Sequence, residues 1–297
     1  MSKLQQQMTQ ELDPHMLTAR VPQTHTLRPE ERIATGKALR QGCPRRTQAG
    51  WIPPADRADP VDLLIENCQG RMEDLIPIRY GRMAANPFAF YRGAAAIMAY
   101  DLSRTPATGL NLQICGDCHL LNFGGFATAE RRLIFDINDF DETSIAPWEW
   151  DVKRLAASFV IAGRANGFRK RDCREAARVA AQSYRQSIIT YASMPVLQAW
   201  YDAMDLEEII ANMRNKQGKA FYTKKLEKAT AQSEHEREFA KLTHTAGDSP
   251  RIIDQPPLIF HYNDTRTEAF RARSERAISS YLASLSPDRR VLLSRYK

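Results

Sequence analysis

The sequence has 297 residues, of which 43% are hydrophobic and 26% are charged, so it can bury a core and is not a disordered chain. It lacks the run of about 18 apolar residues that a membrane-spanning helix needs, and its polar start has no apolar signal segment. We therefore expect a cytoplasmic protein without membrane insertion. The net charge of +7 suits phosphate-bearing ligands, although ordinary soluble proteins often carry such a charge.

The first part of the chain predicts an arm followed by helices. Residues 1–60 are rich in Pro, Gln and Arg, which predicts an extended arm with one short helix near Glu30 to Leu39. From Pro60 onward, apolar residues recur at helical spacing, with interruptions at Gly70 and Pro77. Asn86-Pro87 then has the form of a cap and first turn, and it predicts one helix through "FAFYRGAAAIMAYDLS".

The middle of the chain predicts a small antiparallel sheet. Apolar and polar residues alternate from Leu110 to Cys115, which indicates a strand. The segments "NFGGFA" and "RRLIFDIN", separated by a polar turn, predict a β-hairpin. Two strongly helical segments, "PWEWDVKRLAASFVIAGRA" and "KRDCREAARVAAQSYRQSIITYA", come next. The remainder is predicted to be mostly helical, with a short strand in "SPRIIDQPPLIFHY", so the fold class is α+β.

The stretch "ICGDCHLLNFG" fits several chemistries. Cys115-x-x-Cys118-His119 matches a covalent haem attachment site, and the two cysteines are also half of a zinc site or a redox pair. The chain has no export signal and no second pair of zinc ligands, and the cysteines follow a strand, whereas a redox pair opens a helix. We therefore expect neither haem nor zinc, and we interpret both cysteines as small, partly buried residues beside a loop. With five cysteines at irregular spacing, disulfides are not expected.

Polar residues of the same stretch suit phosphoryl transfer. This chemistry needs a carboxylate to orient the acceptor hydroxyl, and an amide oxygen and a further carboxylate to hold a metal ion. Asp117 and Asn122 lie on the loop after the predicted strand, and "FDINDFDE" supplies Asp136, Asp139 and Asp141 at a strand end. A hairpin returns the chain to its starting point, so the acidic residues are predicted to lie beside Asp117.

These residues carry a resemblance to a known family. The segments "RMAANPFAFYRGAA", "GDCHLLNFGGF", "LIFDINDFDET" and "PWEWDVKRLAAS" resemble the bacterial family called domain of unknown function 2252, over roughly Arg71 to Leu293. That family is similar to the protein-kinase-like fold on the aminoglycoside and choline kinase side. The resemblance implies a mostly helical, kinase-like C-lobe domain over residues 61–297, with a hairpin that carries the catalytic and metal-binding loops.

The resemblance also implies roles for individual residues. Asp117 takes the catalytic position, Asn122 and Asp139 bind magnesium, and His119 is the second histidine of the loop, a substrate- or phosphate-binding position. Asp136 and Asp141 are candidates for a second metal ion or for capping the loop. Asp151 is expected to support the catalytic loop as a hydrogen-bond acceptor. The implied cofactors are Mg²⁺ and ATP.

Arg92 is a further candidate, taken from the residues alone. It lies in an otherwise apolar helix, where it is able to reach a phosphate or the acidic loop, or to pair with a carboxylate such as Asp139 or Asp141. The basic run Arg169 to Arg171 has no interleaved aromatic residues and lies at a helix start, so nucleic-acid binding is not expected.

The chain departs from the kinase pattern in two ways. Cys115 stands where the kinase loop has its first histidine, and no strand with a Gly-rich turn or Lys precedes Asp117. Longer family members carry a Gly-rich segment after the region that matches Arg295 to Lys297, which implies a C-terminally truncated or split member. The sequence therefore predicts an ATP- and Mg-dependent phosphotransferase with an unknown acceptor. The alternatives are an inactive kinase-like scaffold without the nucleotide lobe, or a nucleotidyl (AMP) transferase.

Overall fold

The computed structural model of the protein describes residues 27–231, 239–246, 249–261 and 267–295. The chain is mostly helical with small antiparallel sheets, as the predicted α+β class requires. It divides into two compact units, Met1–Leu226 and Glu227–Lys297. Within the described ranges, no helix combines the length and the apolar composition needed to cross a bilayer.

The first unit begins with short helices. Their bounds are α1 (Pro29–Gly42), α2 (Pro60–Asn67), α3 (Ile76–Met83), α4 (Pro87–Arg92) and α5 (Ala95–Ser103). Helix α1 contains the predicted helix of the N-terminal arm, while residues 1–26 of that arm lie outside the described ranges. Asn86 caps α4 as predicted, because its side-chain oxygen accepts a hydrogen bond from the Ala89 N–H at 2.8 Å. Between α1 and α2, Arg57 forms an ion pair with Asp101 of α5 at 2.6 Å.

The single helix predicted from Pro87 through Ser103 is wrong, because the chain breaks between α4 and α5. A Cβ atom at Gly93 would lie 2.6 Å from the Met83 sulfur, so a larger residue at the break would require the Met83 side chain of α3 to move. Met83, Leu64, Ala94 and Ile97 form the hydrophobic cluster that joins α2 to α5. The end of α4 thus lies where the chain packs against Met83 of another helix, and helical spacing alone does not predict it.

Two antiparallel strand pairs follow. Their strands are β1 (Asn111–Ile114), β2 (Phe123–Ala127), β3 (Leu133–Ile137) and β4 (Ser144–Pro147). The predicted hairpin is confirmed as β2 paired with β3, with Gly124 opposite Asp136. Strand β4 was not predicted, and it pairs with β1 so that Ile114 lies opposite Ser144. Both strand pairs bring the acidic segment back to the end of β1.

More helices follow, and the last of them runs past Leu226, where the first unit ends. The remaining bounds are α6 (Glu149–Ala165), α7 (Lys170–Ser193), α8 (Val196–Tyr201), α9 (Leu206–Ala211) and α10 (Lys216–Ala231). Helices α6 and α7 pack against each other, and a Cβ atom at Gly163 would lie 2.7 Å from the Cys173 sulfur. The packing fixes α6, whose other face carries the polar residues described below.

The described residues of the second unit include a strand pair and two longer helices. They are β5 (Thr243–Ala246), β6 (Ser249–Ile252), α11 (Thr267–Ser284) and α12 (Pro287–Leu293). Strand β6 is the short strand predicted in this region, and it pairs with β5 in antiparallel orientation. Residues 232–238, in the part of the chain that is predicted to be mostly helical, lie outside the described ranges.

Candidate functional site

The loop that leaves β1, residues 115–122, is called the Asp117 loop here. It turns at Gly116, whose φ angle of 80° lies in the left-handed region that favours glycine. A Cβ atom at this position would lie 2.0 Å from the Glu142 carbonyl oxygen. Gly116 therefore permits the close approach of the Asp117 loop to the segment 138–143, which we call the acidic loop.

One face of α6 fixes the Asp117 loop. The Asp151 carboxylate accepts hydrogen bonds from the backbone N–H groups of Cys115 at 2.8 Å and Gly116 at 3.1 Å. Two turns further along α6, the Ser158 hydroxyl accepts one from the Leu120 N–H at 3.0 Å. Burial raises the pKa of Asp151, and the two backbone hydrogen bonds oppose that shift. The hydrogen bonds of Asp151 thus reach the loop that was predicted to be catalytic.

Between these two anchors, Arg154 binds Asp117 itself. Its Nε lies 2.7 Å from Asp117 Oδ1, and its Nη2 also donates to this oxygen. Arg154 is 2% exposed, and Nη2 makes a further hydrogen bond to the Tyr91 carbonyl at 2.9 Å. The Tyr91 ring centroid lies 4.5 Å from the guanidinium carbon, and the Tyr91 hydroxyl donates to the Arg154 carbonyl at 2.8 Å. Hydrogen bonds therefore fix both the guanidinium group and the backbone carbonyl of Arg154.

Sequence reasoning missed Arg154. The signal was available, because Asp151, Arg154 and Ser158 follow one another at spacings of three and four residues and so lie on one helix face. A charged residue on a face that also carries a predicted structural carboxylate indicates a buried polar network. The apolar spacing predicts the helix, and the resemblance assigns a role only to Asp151 among the polar residues of this face.

Asn122 joins the Asp117 loop to the acidic loop. Its Nδ2 donates to the carbonyl oxygens of Asp117 at 3.1 Å and Asp139 at 3.0 Å, and its Oδ1 accepts the Asp139 N–H at 2.9 Å. The residue is 4% exposed. Its amide is therefore engaged inside the site, although a carbonyl oxygen that accepts one hydrogen bond keeps a second lone pair. The metal-binding role of Asn122 stays a prediction.

The three acidic candidates are placed differently. Asp139 is exposed, and one of its oxygens accepts the Asp141 N–H at 3.1 Å. Asp136 accepts the N–H of its own neighbour Ile137 at 2.8 Å, and its charge contributes to a raised pKa of Tyr191 on α7. Asp139 is thus the carboxylate nearest to the Asp117 loop, with Asp141 beside it and Asp136 turned toward α7.

The described ranges contain no group of three His, Cys, Asp or Glu side chains able to hold a metal ion together. A cation at Asp139 would consequently have few protein ligands. Magnesium in phosphotransferases is bound in that way, through one or two carboxylates, water and the phosphates of the substrate. The exposed Asp139 carboxylate fits such a partial site, and the described residues provide no closed cage around it.

The charge of Asp117 reflects two opposing effects. Burial raises the pKa of Asp117, the Arg154 guanidinium opposes the rise, and the negative charge of Asp139 adds to it. Burial prevails, so the carboxylate accepts a proton more readily than an exposed aspartate. Since Arg154 occupies Oδ1, the other oxygen is the one available to a ligand. Oδ2 lies 3.5 Å from Nε2 of His119.

His119 is held neutral. It is 5% exposed, and its ring meets Phe88 of α4 edge-on at a centroid distance of 6.4 Å. Burial lowers the pKa of His119 to about 4, with help from the positive charges of Arg154 and Arg92. Its Nδ1 atom is buried and has no hydrogen-bond partner. At neutral pH this histidine therefore offers polar nitrogens without a charge.

The buried imidazole predicts a loss of stability in mild acid. The unfolded chain binds the proton near pH 6.5 and the native chain only near pH 4, so stability falls as the pH drops below about 6.5. We expect the wild type to lose about 2 kcal/mol more than a His119→Gln variant between pH 7.5 and pH 5. Urea unfolding followed by tryptophan fluorescence measures this difference. Parallel pH profiles of the two proteins would contradict it.

Arg92 has a free guanidinium group. It is exposed at the end of α4, and in the described part of the chain it forms no hydrogen bond or ion pair, including none with Asp139 or Asp141. Its charge nevertheless lowers the pKa of both Asp117 and His119. Arg92 therefore acts electrostatically on both residues while its guanidinium group remains available to a ligand.

The cysteines of the opening motif are buried free thiols. The Cys115 sulfur accepts a hydrogen bond from Asn122 Nδ2 at 3.5 Å. A hydrogen bond with Cys118 lowers the pKa of the Cys115 thiol and raises that of Cys118. Cys115 thus packs directly under the residue that joins the two loops.

Comparison with known proteins identifies a bacterial family. The family model described as "Uncharacterized protein conserved in bacteria (DUF2252)" matches residues 71–297. No curated protein and no solved structure matches the chain. The match covers every residue of the site described above.

Proposed function

The chain belongs to this bacterial DUF2252 family, and from the geometry of its site we propose that it catalyses ATP- and Mg-dependent phosphoryl transfer to an acceptor hydroxyl. One observation carries the proposal. Asp117 and Asp139 lie on two loops that the Asn122 amide holds together, with hydrogen bonds of 2.9–3.1 Å on both sides. A kinase-like C-lobe arrangement accounts for this pair of loops on a hairpin beside a helix.

In the proposal each residue has one task. Asp117 uses its free oxygen to orient the acceptor hydroxyl and to accept its proton, which its raised pKa favours. Asp139 holds the magnesium ion, and Asn122 fixes the Asp139 backbone and offers its second lone pair. When bound, magnesium neutralises charge on the nucleotide phosphates. Arg92 and His119 line the side on which a phosphate meets Asp117.

The proposal predicts that nucleotide binding depends on magnesium through Asp139. Since the chain supplies few ligands to the ion, Mg²⁺ and ATP are expected to bind together and weakly when apart. Calorimetric titration of the full chain with ATP, with MgCl₂ or with EDTA, measures this. Asp139→Asn is expected to lose at least about tenfold in Mg·ATP affinity.

Glu142→Gln is the matched control for this experiment. Glu142 is exposed on the same acidic loop, and its side chain makes no hydrogen bond there, so the variant removes the same charge without touching Asp139. Equal magnesium dependence in Asp139→Asn and the wild type would refute the metal assignment. Absence of Mg·ATP binding in the wild type would refute the proposed function and favour the inactive scaffold.

A further inference from the structure

Helix α4 places two residues over the Asp117 loop. Phe88 packs edge-on against the His119 ring, and Arg92 follows Phe88 by four residues, which puts both on the same helix face. Tyr91, one residue earlier, binds Arg154, which in turn binds Asp117. The end of α4 is thereby fixed beside Asp117, and Arg92 extends from that end.

The positive charges of Arg154 and Arg92 both lower the pKa of Asp117, but only Arg154 forms hydrogen bonds with the described residues. Arg154 is buried and spends its donors on Asp117 and the Tyr91 carbonyl. Arg92 is exposed and has no partner in the described part of the chain. An arginine presents a planar fork of donors that matches two phosphate oxygens at once. A phosphate placed against Asp117 would find Arg92 as its free cation.

The position of Arg92 beside the Asp117 loop bears on which phosphate of a bound nucleotide it would contact. If Asp117 orients the acceptor hydroxyl, the group being transferred must lie directly in front of Asp117. Arg92 shares a face of α4 with Phe88, which packs against the neutral His119, and Asp139 lies on the acidic loop that Asn122 holds to the Asp117 loop. A phosphate further along the nucleotide chain would lie away from Asp117 and hence away from Arg92.

We propose that Arg92 binds the terminal phosphate of the nucleotide and makes the site selective for nucleoside triphosphates over diphosphates. This inference rests on the proposed function and adds to it the residue that selects the nucleotide by its terminal phosphate. Loss of Arg92 is expected to reduce the affinity for the triphosphate selectively, because the diphosphate lacks the group that Arg92 contacts.

The test compares two nucleotides and three variants of the full chain. Calorimetry with MgCl₂ gives the affinities for ADP and for an ATP analogue with a non-hydrolysable β–γ bridge. Arg92→Gln is expected to weaken binding of the analogue by about tenfold or more and that of ADP by less than about threefold. Arg92→Lys keeps the charge without the fork, so it should recover part of the loss. Arg82→Gln, an exposed arginine in the last turn of α3, should change neither affinity.

Each outcome decides the inference. A selective loss for the triphosphate analogue supports it, and an equal loss for both nucleotides or no loss overturns it while the proposed function stands. A wild type that binds neither nucleotide overturns both. Arg92 is exposed and forms no hydrogen bond or ion pair with the described residues, so an unchanged thermal midpoint is expected for Arg92→Gln.

Discussion

Replacing Arg154 by methionine is expected to lower the free energy of unfolding of the first unit by about 4 kcal/mol. The substitution keeps the apolar stem and removes the guanidinium, which leaves the Asp117 carboxylate without its ion pair and the Tyr91 carbonyl without its donor. Removing one partner of a buried pair is costly because the other charge stays buried. All four tryptophans lie in the first unit, so fluorescence during urea unfolding reports on this unit.

Two further variants separate the ion pair from other effects. Arg164→Met changes an exposed arginine on the same helix α6 and should alter stability by less than about 0.5 kcal/mol. Arg154→Lys retains the charge but cannot reach Asp117 and Tyr91 together, so we expect an intermediate loss. If Arg154→Met were as stable as Arg164→Met, the ion pair with Asp117 would contribute nothing to the fold.

Replacing Asn122 by alanine is expected to cost about 3 to 4 kcal/mol. Three hydrogen bonds of 2.9–3.1 Å are lost, and the N–H of Asp139 and two carbonyl oxygens lose a buried partner. Since these bonds join the two loops, amide hydrogen exchange in both the Asp117 loop and the acidic loop should accelerate along with the loss of stability. Urea unfolding and hydrogen exchange measure the two effects.

Asn122→Asp provides the matched comparison. It keeps the acceptor for the Asp139 N–H, loses the hydrogen bonds that Nδ2 donates to the two carbonyls and to the Cys115 sulfur, and places a carboxylate against the Asp117 and Asp139 carbonyls. We expect this variant to be no more stable than Asn122→Ala. A wild-type stability for Asn122→Asp would mean that the donated hydrogen bonds do not hold the loops together.

Sequence periodicity predicts some of the elements that form the site but not others. The alternation around Ile114 and the turn between two apolar runs predict β1 and the β2–β3 hairpin, and hairpin geometry brings the acidic loop toward Asp117. Strand β4 was missed because Ser144 to Pro147 is a short segment without alternation, and it forms only by pairing with β1. The break at Gly93 was missed for a similar reason, since Met83 comes from another helix.

Local sequence by itself determined the residue types of the site and the elements that carry them. The cap at Asn86, the helical spacing of α6 and the residues of the two loops all depend on neighbours in the chain. Tertiary structure alone decided which charges are used and which remain free. Arg154 and Arg92 both lie on helices. Arg154 is buried against the Tyr91 ring and pairs with Asp117, whereas Arg92 is exposed. Burial and pairing depend on residues distant in sequence, and no local pattern specifies them.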